Sequence, residues 1–345
     1  MQKTPIEWCD FSSNPLYVVR KSDGKRGWAC THASPGCLHC YAETINQRLG
    51  TGFPFAKKYE DEVEWRLNVK ELAAWFRHKA PGKCFVADMT DLFHPAIPDA
   101  FKLAIVGTAA LTPWKIYQFL TKRAIEMRAF VETYTLSDCL AAVYSATDDS
   151  PMLGESFPLN EERADLAIEQ GWLPKNTWWG VSVEDQQRAN ERIPLLLQVP
   201  AVTRFLSCEP LIRPIDLGRA TGNMAFDGGS DMRDPPEVIG IHWSIIGGES
   251  GPWARPVHPA WVRSLRGQCQ AAGIAFFWKQ WGEWIHESQI CTPEQKNAVQ
   301  AIVKAGRWKS GVHYWHEGES SRSFRIGKKA AGRLIDGQEW SEFPT

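Results

Sequence analysis

Three cysteines share one short stretch, Cys30-Thr31-His32-Ala33-Ser34-Pro35-Gly36-Cys37-Leu38-His39-Cys40. Two residues separate Cys37 from Cys40, a spacing that lets both sulfurs reach one metal centre. Pro35-Gly36 is a turn dipeptide that folds the stretch back on itself. From Tyr41 the pattern turns helical, with Tyr41, Ala42, Ile45 and Leu49 near one face and Gly50 placed to end the helix. The thiols therefore stand at a helix N-terminus, where the dipole and the free N–H groups favour thiolate. Thiolates bind metals and iron–sulfur clusters. Three readings are open. The plain one is free thiols on a surface loop. The second is a structural zinc site with His32 or His39 as fourth ligand. The third is a cluster with three protein thiolates and one iron left for a small-molecule cofactor.

Such a loop needs rigid elements to hold it, and the chain supplies alternating strands and helices. Residues 6–8 predict a first short strand, and residues 22–25 a hairpin tip. Val63, Trp65, Leu67, Ala74 and Trp75 predict a helix ending near Pro81-Gly82. Residues 84–87 and 115–120 read as buried strands, each followed by a helix, the first opened by Pro98 and Asp99. Residues 134–176 break the rhythm and read as an insertion with a short helix over 161–170. Further strands are expected at 177–183, 203–207, 242–246 and 274–278. Between them lie a helix to Ile193 with a restart at Pro194, a long loop at 218–238, and a helix from Pro259 to Gly273.

The alternation argues for a parallel α/β architecture, either a full or partial barrel or an open doubly wound sheet. Asp88, Asp91, Lys122, Glu184, Glu209, Glu249 and Lys279 all fall at strand C-terminal ends. In either architecture that edge carries ligands and chemistry. Any one of these residues reads equally well as a cap or loop charge. Gly247-Gly248 before Glu249 lets backbone approach a ligand, although alone it is also a tight turn.

The 345 residues carry a formal net charge of -1 and 43% hydrophobic content, enough for a sizeable core and no global field toward DNA or membranes. The chain shows no apolar run long enough to span a bilayer and no signal-peptide pattern at its start, so a cytoplasmic location is expected. The 17 tryptophans read as packing or as an aromatic cleft for a flat ligand such as a base. Basic and aromatic residues interleave over 304–333, among them Lys304, Arg307, Tyr314, Trp315, Arg322, Arg325, Lys328, Lys329 and Arg333. That mix grips phosphates and stacks bases, or is a solvated face.

The three-cysteine stretch after a first strand resembles the radical S-adenosylmethionine superfamily. Here the first gap holds six residues, Thr31 to Gly36, where the commonest pattern has three. Met89-Thr90-Asp91-Leu92-Phe93-His94-Pro95 and Thr121-Lys122-Arg123 are similar to motifs of the spore photoproduct lyase-like branch. Ile6-Glu7-Trp8, Ser34-Pro35-Gly36-Cys37, Ser207-Cys208-Glu209-Pro210-Leu211, Gly247-Gly248-Glu249-Ser250-Gly251 and Lys279-Gln280-Trp281-Gly282 resemble an uncharacterised phage-associated three-cysteine-motif family.

The resemblance implies an α/β fold, a partial (β/α) barrel of about six or seven mostly parallel strands, with loop insertions and a C-terminal extension. The barrel would occupy residues 1–281, with insertions near 134–176 and 218–238, and the extension residues 282–345. It implies a 4Fe-4S cluster on Cys30, Cys37 and Cys40 and S-adenosyl-L-methionine as cofactor. Asp88, Thr90 and Asp91 would approach the cofactor's amino group, Lys122 its carboxylate, and Glu184, Gly247, Gly248 and Glu249 the rest of it. Cys208, Glu209 and Lys279 are the candidate catalytic residues, with the Cys208 thiol as hydrogen-atom donor to a substrate radical. Cys9, Cys84, Cys139, Cys269 and Cys291 read as buried small hydrophobes, the plain reading of Cys208 too. The expected partners are a nucleic-acid substrate, an external electron donor and a separately encoded protein, with no membrane. The competing reading is a non-catalytic, zinc-stabilised nucleic-acid-binding or phage accessory protein.

Overall fold

The computed structural model describes residues 1–148, 164, 165, 167, 168, 172–220, 240–315 and 321–344. The chain packs as two compact units, residues 1–181 with 195–204 and residues 182–194 with 205–345. The expected division at 281 falls inside the second unit.

The first unit contains β1 (Gln2–Lys3), β2 (Phe11–Ser13), β3 (Leu16–Arg20), β4 (Arg26–Gly27), β5 (Val63–Leu67), β6 (Lys83–Val86), β7 (Ile116–Thr121) and β8 (Thr177–Ser182). Strands β2, β6, β7 and β8 lie side by side in parallel, and β1 pairs antiparallel with β2. The inner strands are near-continuous buried runs, as parallel strands covered on both faces must be. A second, antiparallel sheet, β4-β3-β5, branches off between β2 and the cysteine loop.

Two local expectations fail here for identifiable reasons. Residues 6–8 form a turn closed by Cys9 N–H to the Ile6 carbonyl (3.3 Å), and the strand is Phe11–Ser13, paired with Cys84–Val86. Val63, Trp65 and Leu67 belong to a strand, because their alternation with Glu64 and Arg66 matches period two. The helix starts only at Val69, with Asn68 as N-cap.

The helices of this unit are α1 (Tyr41–Leu49), α2 (Val69–Arg77), α3 (Asp99–Ala110), α4 (Ala124–Thr133) and α5 (Leu136–Asp148). Helix α3 is buried almost all round, and α5 packs against it. A side chain at Gly107 would collide with the Cys139 backbone, so glycine permits that close approach. Residues 136–148 are therefore part of the fold and not the start of an insertion. The helix expected over 161–170 lies largely outside the described residues.

The second unit contains α6 (Gln186–Leu197), β9 (Thr203–Cys208), β10 (Trp243–Gly247), α7 (Pro259–Ala271), β11 (Ala275–Gln280), β12 (Trp284–His286), α8 (Pro293–Lys304), β13 (Val312–Trp315) and β14 (Ser321–Arg325). Strands β9, β10 and β11 are parallel and adjacent, while β12, β14 and β13 form a small antiparallel sheet. Helix α6 continues through Pro194, where a restart was expected. Helix α7 has Pro259 in its first turn and buries Val262, Leu265 and Cys269 in one stripe. The loop expected at 218–238 lies almost wholly outside the described residues.

The tail is part of this core. Trp278 N–H donates to the Trp340 carbonyl (3.0 Å), Glu342 N–H donates to the Phe276 carbonyl (3.2 Å), and Ser341 bridges antiparallel to Phe277. Strands β1, β2, β6, β7 and β8 of the first unit and β9, β10 and β11 of the second make eight, above the six or seven expected. Trp8, Trp75, Trp178, Trp179, Trp243, Trp278 and Trp281 are buried and serve packing. Cys291 is exposed, contrary to expectation. Among the described residues no helix is long and apolar enough to cross a membrane.

Candidate functional site

The cysteine loop is held from below by α1. Pro35–Cys37 forms a single 3-10 turn, Cys40 is the N-cap of α1, and the helix begins at Tyr41 as its sequence predicts. Its buried residues are Ala42 and Asn46, whereas Tyr41 and Leu49 are 53% and 65% exposed. Asn46 acts as a brace. Its Oδ1 accepts from Trp28 N–H (2.9 Å) and Thr51 N–H (3.1 Å), and its Nδ2 donates to Thr51 Oγ1 (2.8 Å) and the Phe53 carbonyl (2.9 Å). That fixes the approach to Cys30. Tyr41 turns outward and donates its hydroxyl to the Asp88 carbonyl (2.5 Å).

The C-terminal ends of β6 and β7 hold the loop from the side. Asp91 Oδ1 accepts from Thr121 Oγ1 (2.6 Å) and Phe93 N–H (3.0 Å). Its Oδ2 accepts from Lys122 N–H (2.9 Å) and Arg123 Nη1 (3.1 Å). Four donors fill a carboxylate's four lone-pair positions. Asp91 is thus a bracket between the strand ends. Thr90 is also engaged, donating its hydroxyl to the Ala29 carbonyl. Arg123, buried beside Asp91, donates Nη2 to both the Thr31 carbonyl and Thr31 Oγ1 (2.8 Å each), and its Nη1 lies 3.8 Å from Cys30 Sγ.

Two groups at these strand ends keep capacity. The Asp88 carboxylate accepts from Asn14 Nδ2, and burial pushes its pKa up. Lys122 is bonded to Asp91 through its backbone, and its ammonium lies near enough to Cys40 to favour the thiolate there.

The sulfurs do not behave as the helix dipole alone predicts. Burial pushes the Cys30 thiol up to about 12, Asp91 adds to the rise, and Arg123 opposes it. Burial also raises Cys40, against the N–H groups of Glu43 and Ala42. Desolvation outweighs the helix terminus, so these thiols ionise when a cation balances the charge. A charge on Cys37 raises both neighbours, which places the three thiols within electrostatic reach of one another. Cys37 Sγ accepts from Ala33 N–H (3.5 Å). Among the described residues, no three Cys, His, Asp or Glu side chains already converge on one metal position. His32, a candidate fourth ligand, has its Nε2 2.7 Å from Glu43 Oε2. Three thiols on one loop are the donor type that both zinc and iron–sulfur centres take.

His94 closes the loop's other side. Its Nδ1 accepts from Ala96 N–H (3.2 Å) and its Nε2 lies 2.9 Å from Thr31 Oγ1. Burial, with Arg123 adding, lowers its pKa to about 4, so the ring is neutral.

In the second unit the strand ends carry closed ion pairs. Glu184, fully buried, meets Arg192 Nη1 at 3.0 Å. Lys279 Nζ donates to both oxygens of Glu209 (2.8 and 3.0 Å). Arg255 donates Nη2 to Glu249 Oε1 (2.7 Å), and its Nε and backbone N–H donate to Oε2 (2.9 and 2.8 Å). Gly247 leaves room for the Glu209 side chain, and Gly248 for the Trp281 carbonyl. The two glycines therefore serve packing of this unit. Cys208 is fully buried, 3.8 Å from Ser244 Oγ, and burial pushes its thiol up to about 12. It also raises the neighbouring Cys269 of α7, so it faces the helix layer. The basic C-terminal stretch is largely committed to structure. Arg322 pairs with Glu287, Arg325 donates to the Gly251 carbonyl, and Arg333 donates to the Trp278 and Trp340 carbonyls.

Sequence reasoning missed Arg123, His94, Asn14 and Asn46. Arg123 and His94 stand inside quoted motifs, next to residues that drew the attention. Asn14 before Pro15 and Asn46 inside a helix have no local signal, since their role is to satisfy distant backbone.

Fold and site together define an α/β protein with a three-cysteine loop bracketed by the C-terminal ends of parallel strands. The chain belongs to the family described as protein of unknown function (DUF5131), which it matches over residues 3–344. No curated protein and no solved structure matches it.

Proposed function

We propose that the chain is an iron–sulfur enzyme that uses S-adenosyl-L-methionine to generate a 5′-deoxyadenosyl radical, with a nucleic-acid base as substrate class. One observation carries the reading: Cys30, Cys37 and Cys40 lie on one loop at the start of α1, clamped by residues from the ends of β6 and β7. The partial barrel implied by the sequence resemblance is part of this proposal, and the mostly parallel strands support it. When bound, a four-iron cluster with one open iron supplies the electron that cleaves the cofactor's sulfonium.

The chain's own residues would then divide the work. Cys30, Cys37 and Cys40 hold the cluster as thiolates. Asp88, with one side-chain donor, suits the cofactor's ammonium, and Lys122 suits its carboxylate. Arg123 and Asp91 fix the first cysteine's loop and contribute no open group.

Anaerobic purification with iron and sulfide reconstitution tests this. The expected protein is brown, has iron and sulfide in equal amounts, and forms 5′-deoxyadenosine on addition of dithionite and cofactor. A colourless protein with one zinc per chain and no 5′-deoxyadenosine would sink the proposal and support the zinc-stabilised alternative.

A further inference from the structure

Of the large apolar side chains among the described residues, Trp253 is the most exposed, at 77%. It stands on a turn of the second unit that is held at both ends. Ala254 N–H donates to the Gly251 carbonyl (3.2 Å), which places Pro252 and Trp253 at the tip. Gly251 N–H donates to Glu283 Oε1 (3.2 Å), and the Gly251 carbonyl also accepts from Arg325 Nη2 (2.9 Å). The Ala254 carbonyl accepts from the Trp284 indole N–H (2.6 Å). A ring on a tethered turn is presented to solvent in a fixed place, so little ordering is left to do when something binds it.

Two positive charges share this junction. Arg325 ends β14, and its partner at Gly251 is a neutral carbonyl, so the guanidinium keeps its charge. The chain beyond it is fixed at Glu283, whose carbonyl accepts from Ile326 N–H (3.1 Å) and Gly327 N–H (3.0 Å), and it continues into the exposed Lys328 and Lys329. Neither Arg325 nor Lys329 forms an ion pair among the described residues. Glu283 is the carboxylate at this junction, and it accepts from Gly251 N–H. The strand-end charges of the second unit are matched, whereas these two cations are not.

These features select among occupants. Cations left without an ion pair suit an anion. A bare indole face suits a flat ring. Single-stranded nucleic acid carries a phosphate and an open base face in every repeat, and a duplex hides its base faces in the stack. A lipid surface fits less well, because docking on a membrane takes a broad apolar face. Trp253 is alone at the tip, beside Pro252 and Gly251.

We propose that Trp253, Arg325 and Lys329 form a landing patch for single-stranded nucleic acid, with Trp253 stacking on an unpaired base and the two cations meeting the phosphates. Such stacking is tolerant of sequence, because every base has a π-face. The inference deepens the substrate class proposed above and rests on that reading.

The experiment uses the full chain without added iron or cofactor, with fluorescein-labelled oligodeoxythymidine and an abasic strand of equal length. Anisotropy is read across a salt series. The thymidine strand should bind about tenfold tighter than the abasic strand. Trp253→Ala should erase that difference, and Trp253→Phe should keep part of it. Lys329→Gln should keep the difference and lower the slope of log affinity against log salt by about 0.7. Trp253 and Lys329 are both exposed, so these variants keep the fold. Equal binding of the two strands, a difference unchanged in Trp253→Ala, an unchanged salt slope in Lys329→Gln, or no binding of either strand would each overturn the inference. Trp253-dependent binding to phosphatidylserine vesicles without strand binding would overturn it in favour of a lipid surface. Cofactor cleavage is measured separately on the reconstituted protein. 5′-Deoxyadenosine formed without strand binding counts against the patch alone, and strand binding without 5′-deoxyadenosine against the enzyme class alone.

Discussion

Just past the ends of β8, β9 and β10 each carboxylate meets a cation: Glu184 meets Arg192, Glu209 meets Lys279 of β11, and Glu249 meets Arg255. At the ends of β6 and β7 one such pair, Asp91 with Arg123, is surrounded by groups that are not closed in this way. These are three thiols, the Asp88 carboxylate with one amide donor, and Lys122 engaged through its backbone. In sequence the two sets looked alike, as charged residues just past apolar strands. A matched charge at a strand end latches the fold, and an unmatched one is capacity for a ligand. The first unit has that capacity, and its ion pair serves to hold the loop that carries it.

The strongest way to break this contrast is at the loop. Cys37 is half-buried and its sulfur takes only a long contact from Ala33. Cys37→Ala should abolish iron retention and 5′-deoxyadenosine formation while thermal unfolding stays within a degree or two. Retention of full iron content by this variant would remove the loop from the site. Lys279→Met in the second unit should leave iron content unchanged, because its partner Glu209 belongs to a latch.

Next come the two buried ion pairs, which differ in consequence more than in strength. Removing one partner of a buried pair leaves an uncompensated charge and costs about 3 kcal/mol. Asp91→Ala and Glu184→Ala should therefore be destabilised to a similar extent in denaturant titrations. Only Asp91→Ala should also lose iron, since Arg123 then no longer fixes Thr31 beside Cys30. Equal loss of iron in both variants would show that the first pair has no special link to the loop.

A smaller effect probes both units through one titration. Burial lowers His94 in the first unit and His286 in the second to about 4, against about 6.5 for an exposed histidine. The unfolded chain binds a proton between those values that the folded chain refuses, so stability is highest above pH 6.5 and falls as pH drops toward 4. Each histidine contributes at most about 1.4 kcal/mol per pH unit. His94→Gln and His286→Gln should each flatten the fall of Tm across that window. A steeper fall in either variant would reverse the sign argued here.

How much of this was legible in the sequence follows from what each signal depends on. The three cysteines, their turn and α1 are local, and spacing alone placed them. The parallel strands announced themselves as apolar runs, and the polar ends of β6, β7, β9, β10 and β11 could be read off with them. Which charges were matched could not be read, because Asp91 and Arg123 are separated by a whole helix and strand, and Glu209 and Lys279 by far more. Residues 63–67 misled because Val63 and Leu67 also fit helical spacing, and only pairing with Leu16–Arg20 decides between the periods. The thiolate expectation failed because a sequence shows the helix terminus and not the burial that opposes it.

Cys208 gives the finest test, because it stands at a strand end of the second unit yet is a thiol. Its sulfur is fully buried, shares Ser244 with Cys269, and lies in the layer between β9, β10 and α7. Replacing it with alanine removes one sulfur from a packed layer and should cost about 1 kcal/mol in a denaturant titration. It should leave the rate of 5′-deoxyadenosine formation and the fate of any substrate radical unchanged. A hydrogen-atom donor would behave otherwise: its loss would let the radical persist or change the product while cofactor cleavage continued. Such uncoupling in Cys208→Ala would move a second-unit residue from latch to chemistry, and the division between the two units would then have to be drawn residue by residue.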